Sequence, residues 1–236
     1  MKIILIDKRI PQPIEKALLM RGFFVMKLPH DGNLGEAVSS HPDTLLFYHG
    51  KQIITTADYC DCASYIFSDL REAIPDLKIK FTADTREAKY PHDCVMNALV
   101  IGDMLFCKSD SISNAILDYA NECGLRIIHT RQGYPACSVL AFGNNAITAD
   151  RGMADLLKKN GVNTLLIRQG YISLPPHEYG FIGGASFVYD DKICFFGDVE
   201  RHPDGASIIS FVTENGYIPI SLSSEDLVDF GGGVVL

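Results

Sequence analysis

A short apolar signature recurs five times along the chain, and this recurrence restricts the fold more than any single motif does. It reads Ile3-Ile4-Leu5-Ile6-Asp7, Gln52-Ile53-Ile54-Thr55-Thr56, Met104-Leu105-Phe106-Cys107-Lys108, Ala146-Ile147-Thr148-Ala149-Asp150 and Lys192-Ile193-Cys194-Phe195-Phe196. The matched residues Ile4, Ile53, Leu105, Ile147 and Ile193 stand 42 to 52 residues apart. Passing from Ile193 through the C-terminus and round to Ile4 gives an interval of the same size, about a fifth of the 236 residues. Self-similarity at such a period marks a chain built from repeated supersecondary units.

Each interval carries the same order of signals. In the third, Asn97 to Gly102 reads as a strand, Gly102-Asp103 as a tight turn and Met104 to Lys108 as a second strand. Ser109-Asp110-Ser111 has the chemistry of a helix N-cap. Ile112, Ile116, Leu117 and Ala120 follow at helical spacing, Gly124 supplies the stop, and Arg126 to Thr130 reads as a third strand. The second, fourth and fifth intervals repeat this ββαβ order, and Arg-Gln-Gly-Tyr follows a third strand twice, at 131–134 and 168–171. The first interval lacks its opening strand, which Val234-Val235-Leu236 can supply. The expected fold is therefore α/β: residues 1–236 form a single domain, a five-bladed pseudo-symmetric α/β propeller of five ββαβ units, with one unit closed by the two termini.

Charge and cysteine content narrow the partners. The 21 basic against 29 acidic residues give a net charge of −8. That argues against nucleic acid and against an anionic membrane surface as partners. Seven scattered cysteines lack metal-site spacing and fit free thiols in a reducing compartment. The opening apolar run is too short for a secretion signal, so a cytoplasmic location is expected. No metal and no cofactor is expected; His41, Asp43, His92 and Asp93 have ligand chemistry but poor spacing for a metal.

Five closed ββαβ units resemble the pentein fold of the guanidine-modifying enzyme superfamily, which includes deiminases, dimethylarginine hydrolases, amidinotransferases and a non-enzymatic translation-factor branch. Three stretches carry the resemblance further. Tyr90-Pro91-His92-Asp93-Cys94-Val95-Met96-Asn97 is similar to the family's acidic substrate-binding turn. Gly180-Phe181-Ile182-Gly183-Gly184-Ala185-Ser186 is similar to its glycine-pair turn, and Gly231-Gly232-Gly233-Val234-Val235-Leu236 to its terminal glycine-rich turn. The resemblance implies a cysteine nucleophile just past the terminal glycines and a histidine at the glycine pair. Here those positions hold Leu236 and Gly183-Gly184, so the family's covalent machinery is missing from its usual places.

The loops leading into the first strands are expected to face the middle of the ring. They place Asp43, Asp93, Asn97, Ser138, Gly183, Gly184, Ser186 and Asp229 as candidate ligand-binding residues. Cys137 is the candidate re-sited nucleophile, with His41 or His92 as base and Asp43 or Asp93 as orienter. Three readings stand open at this point. The first is a protein that binds a small polar, amino-acid- or guanidinium-like ligand without covalent chemistry. The second is a hydrolase or transferase acting on a C–N bond through Cys137. The third is an interaction protein like the translation-factor branch.

Overall fold

The computed structural model describes residues 2–236. Its fifteen strands form five three-stranded sheets. In order, the sheets are Val234–Val235 with Lys2–Asp7 and Phe23–Leu28; Leu46–His49 with Gln52–Thr56 and Lys78–Thr82; Leu99–Ile101 with Met104–Cys107 and Arg126–His129; Val139–Phe142 with Asn145–Thr148 and Asn163–Leu166; and Ser186–Tyr189 with Lys192–Phe195 and Ile218–Ser221. In every sheet the first pair is antiparallel and the second parallel. A parallel neighbour needs a crossover. The helices Gln12–Met20, Ala57–Ala73, Asn114–Glu122, Arg151–Lys159 and Gly205–Glu214 provide it. The strands in the middle are the recurring apolar runs, because a strand paired on both edges and covered on both faces has no polar side. Met104–Cys107, for example, is buried at all four positions.

The tail does supply the missing strand. Val234 and Val235 pair antiparallel with Leu5 and Ile4. The backbone of Leu236 exchanges hydrogen bonds with Ile3, at 2.9 and 3.3 Å. Its side chain packs against the core that holds Ile3, Leu5 and Leu46.

Two boundaries differ from expectation. The helix of the third unit is capped by Ser113, whose Oγ accepts from the Ala115 N–H, not by Ser109 to Ser111. The earlier serines sit in a separate turn, in which the amides of Ser111 and Ile112 both donate to the Lys108 carbonyl. The first strand of that unit begins at Leu99 and not Asn97, because the Asn97 amide closes a turn onto Cys94.

Five apolar clusters each span two consecutive sheets. One joins Ile4, Ile6 and Phe23 of the first sheet to Phe187, Tyr189 and Cys194 of the fifth. A second circuit links the loops that lead into the first strands. Asp43 N–H donates to the Gly231 carbonyl (3.2 Å), and Asn97 Nδ2 donates to the Asp43 carbonyl (3.0 Å). Ala136 N–H donates to Asn97 Oδ1 (2.8 Å), Gly184 N–H to the Cys137 carbonyl (2.9 Å), and Gly232 N–H to the Gly184 carbonyl (2.8 Å). The circuit returns to the loop where it began. Asn97 is its one side-chain link, bonding on two sides from a fully buried position. Among the described residues, no helix is long and apolar enough to cross a membrane.

Asn97→Ala leaves the Ala136 amide and the Asp43 carbonyl without partners in a dry site. It is expected to destabilise the protein by about 2–4 kcal/mol in urea unfolding. A loss under about 0.5 kcal/mol would contradict this role.

Candidate functional site

The loops of this circuit divide two cavities. On one side, a cavity of about 320 Å³ is lined by residues from the first strands of all five sheets, among them Phe47, Leu99, Leu140, Phe187 and Val235. On the other, a cavity of about 440 Å³ is lined by His41, Asp93, Tyr134, Cys137, Glu178 and Asp229, with apolar walls from Val38, Leu174 and Phe181. The second has the polar chemistry.

Close approach of glycine makes its floor. Asp229 Oδ2 accepts from the Phe181 amide and Oδ1 from the Gly231 amide, both at 2.9 Å. A Cβ on Gly184 would collide with the Asp229 carboxylate, so only glycine fits there. Gly231 has φ +69° and lies against the His41 side chain, where a larger residue would be both strained and obstructed. Burial pushes Asp229 up to about 6, and its two backbone donors oppose that rise.

His41 stands between two acids. Its Nε2 is 3.7 Å from Asp7 Oδ2 and its Nδ1 is 3.8 Å from Asp229 Oδ1. Both ring nitrogens are buried without a hydrogen-bond partner. Burial pushes His41 down to about 4 against the pull of Asp7, so the ring is neutral near pH 7. Asp7 is itself taken by Arg9, whose Nε donates to Oδ1 at 2.9 Å.

Cys137 lies in the short helix Pro135–Ser138 and receives Asn97 Nδ2 at 3.1 Å. The Asp43 carboxyl lies beside it. Neither Asp43 oxygen has a nitrogen or oxygen partner, and burial followed by the Asp229 charge pushes Asp43 up to about 8. Burial and these same two acids push the Cys137 thiol well above its usual range. A thiolate nucleophile needs a positive neighbour; this thiol has two acids instead.

Asp93 forms one wall. Its Oδ2 accepts from the Tyr134 hydroxyl at 2.6 Å, and its buried Oδ1 has no partner. Burial raises its pKa and the Tyr134 hydrogen bond lowers it.

Of the predicted residues, His41, Asp93, Cys137 and Asp229 line this cavity, Asn97 and Gly184 support them from behind, and Asp43 lies beside Cys137 but lines the other cavity. His92 is exposed, with its backbone tied to Lys89 and Glu87, and it does not line the cavity beside Cys137. The turn that buries Asp93 turns the preceding residue outward. Ser138 bonds Gln132 Nε2, while Ser186 bonds the Ile182 carbonyl and, with Gly183, faces the other cavity. Leu236, expected at the nucleophile position, lines neither cavity, because pairing with Ile3 sets it, half-buried, against the apolar core.

Sequence reasoning missed Asp7 and the lip Leu174 to Tyr179, and it placed Tyr134 in a central loop without giving it a role. Asp7 carried a signal, a carboxylate ending an otherwise apolar central strand. The lip carried only its adjacent Pro175-Pro176, since the connections 29–45 and 83–98 are nearly as long as 167–185.

Five ββαβ units around such loops define the pentein fold, and structural comparison finds the same fold. Dimethylarginine dimethylaminohydrolase from Pseudomonas aeruginosa, solved as a mutant complexed with citrulline, has a TM-score of 0.55 at 10% identity; the match covers 94% of this chain and 92% of that one. Inosamine-phosphate amidinotransferase from Streptomyces griseus has a TM-score of 0.56 at 15% identity over 95% of this chain and 80% of that one. Agmatine deiminase from C. jejuni has a TM-score of 0.56 at 9% identity over 94% and 76%. By sequence, the chain belongs to the family of unknown function DUF6873, whose profile matches residues 5–234. Comparison with curated proteins finds no match.

The buried acids give a signed pH prediction. Unfolded, Asp43 ionises near 3.8; folded, it keeps its proton up to about 8. Its contribution to stability is present at low pH and is lost as pH rises toward 8. His41 runs the other way, because it stays neutral down to about 4 and so lowers stability as pH falls from 6.5. Asp43→Asn is therefore expected to raise the melting temperature relative to wild type at pH 8, with the gain shrinking toward pH 5. A difference that does not change with pH would contradict the assignment.

Proposed function

We propose that the five sheets close into one five-bladed ring, a single domain, whose acidic cavity binds a small polar, amino-acid- or guanidinium-like ligand without covalent cysteine chemistry. The loop circuit and the cluster joining the fifth sheet to the first support the closure. The buried free thiols support a reducing compartment, the cytoplasm.

One observation carries the functional reading. Asp93 presents a buried, unpartnered carboxylate oxygen to a cavity that has no lysine or arginine in its lining. An ammonium or guanidinium group satisfies that oxygen by a charge-assisted hydrogen bond. Tyr134 and Tyr179 add aromatic surface to the same walls, which suits the face of a planar cation.

The alternative reading, a nucleophile at Cys137, meets three obstacles. The thiol is buried, its neighbours Asp43 and Asp229 disfavour the thiolate, and His92 does not approach it. His41 is held neutral between Asp7 and Asp229, and its nitrogens face those acids.

A thermal-shift series with methylguanidine, arginine, agmatine and simple amines tests the reading. At least one cation is expected to raise the melting temperature in proportion to the logarithm of its concentration. Asp93→Asn is expected to weaken that ligand by about tenfold or more, the loss of one charged hydrogen bond. No shift with any cation would overturn the reading.

A further inference from the structure

We propose that the ligand of this cavity is a dication without a carboxylate, an alkyl diamine or an aminoalkylguanidine, with one charge held at Asp93 and the other at Glu178. This rests on the reading of the cavity as a cation site and narrows it to a ligand class.

The two carboxylates differ in depth. Asp93 is 8% exposed, and its free oxygen is out of contact with solvent. Glu178 lines the same cavity from the exposed lip, and among the described residues its side chain makes no hydrogen bond or ion pair. Asp229, the third acid of the lining, already accepts two backbone amides. The cavity therefore has two carboxylates with free lone pairs, one inside and one at the mouth. A ligand with a positive charge at each end meets both.

A ligand carboxylate has no counterpart there. No lysine or arginine lines the cavity, and its second histidine, His177, stands exposed on the lip next to Glu178. The amides of Phe181 and Gly231, which would otherwise serve an anion, are occupied by Asp229. His41 lies beside Asp7 and Asp229 and is neutral, so it offers no positive charge. Two arginines, Arg151 and Arg168, line a separate depression that shares only Tyr134, Tyr179 and Phe181 with this cavity. Arg168 is bound there to Asp204 at 2.7 Å. A carboxylate inside the cavity would lose its water beside Glu178 and Asp229 and gain no lysine or arginine, an unfavourable transfer.

Titration calorimetry on the full chain at low salt tests this with agmatine, a series of α,ω-diamines, arginine and methylguanidine. Agmatine or one of the diamines is expected to bind about tenfold or more tightly than arginine. Glu178→Gln, at an exposed position whose side chain makes no hydrogen bond or ion pair among the described residues, is expected to lower the ratio of dication to methylguanidine affinity by about fivefold to tenfold. Arginine binding as tightly as agmatine would overturn the proposal while leaving the cavity a cation site. An unchanged affinity ratio in Glu178→Gln would overturn the assignment of the second charge. If none of these cations binds, the reading of the cavity as a cation site falls, and this proposal falls with it.

Discussion

The arrangement depends on one buried amide. Asn97 donates to the Asp43 carbonyl and accepts from the Ala136 amide, so a single side chain joins the loops of the second, third and fourth sheets. Elsewhere backbone groups make the links, through Gly231, Gly184 and Gly232. Loops that converge in a dry centre carry peptide groups that must find partners. Each repeat solves this with its neighbour, and on both sides of the third unit the Asn97 side chain makes the link. The glycines follow from the same crowding, since the Asp229 carboxylate fills the space where Gly184 would carry a Cβ.

The circuit gathers charge that it does not neutralise. The carboxylates of Asp7, Asp43, Asp93 and Asp229 are all buried, and of the two nearby arginines Arg9 is bound to Asp7 and Arg86 to Asp31. Burial then acts differently on each group. Asp43 retains a proton, Asp229 is steadied by two amides, and Asp93 keeps one free oxygen at the cavity wall. The same field keeps Cys137 a thiol. An acidic surround that disfavours a cysteine thiolate is also one that favours a bound cation, so the raised pKa of the Cys137 thiol and the proposed cation site share a single electrostatic origin.

Much of the architecture was legible in the sequence because it rests on local patterns repeated five times. The apolar central strands, the glycines ending helices at Gly124 and Gly161, and the orphan strand at the tail all carry their meaning in a few residues. Most of the first-strand loops were legible too, since their place in the unit fixes their direction. The rest was not. Whether a loop residue faces inward depends on one turn, which buries Asp93 and exposes His92. The Ser113 cap was hidden because three earlier residues have the same chemistry and only the Lys108 turn separates them. The position of Leu236 was misjudged because a motif match gives an order along the chain, whereas strand pairing with Ile3 determines where the residue packs.

The central claim is that the acids of this cavity hold a cation while Cys137 takes no part in covalent chemistry. A crystal structure of the protein soaked with methylguanidine tests it most directly. The account predicts a planar cation within hydrogen-bonding distance of Asp93 Oδ1, with Cys137 Sγ free and still bonded to Asn97. Density continuous between Sγ and the guanidinium carbon, or a cation bound elsewhere with the cavity filled only by water, would contradict it.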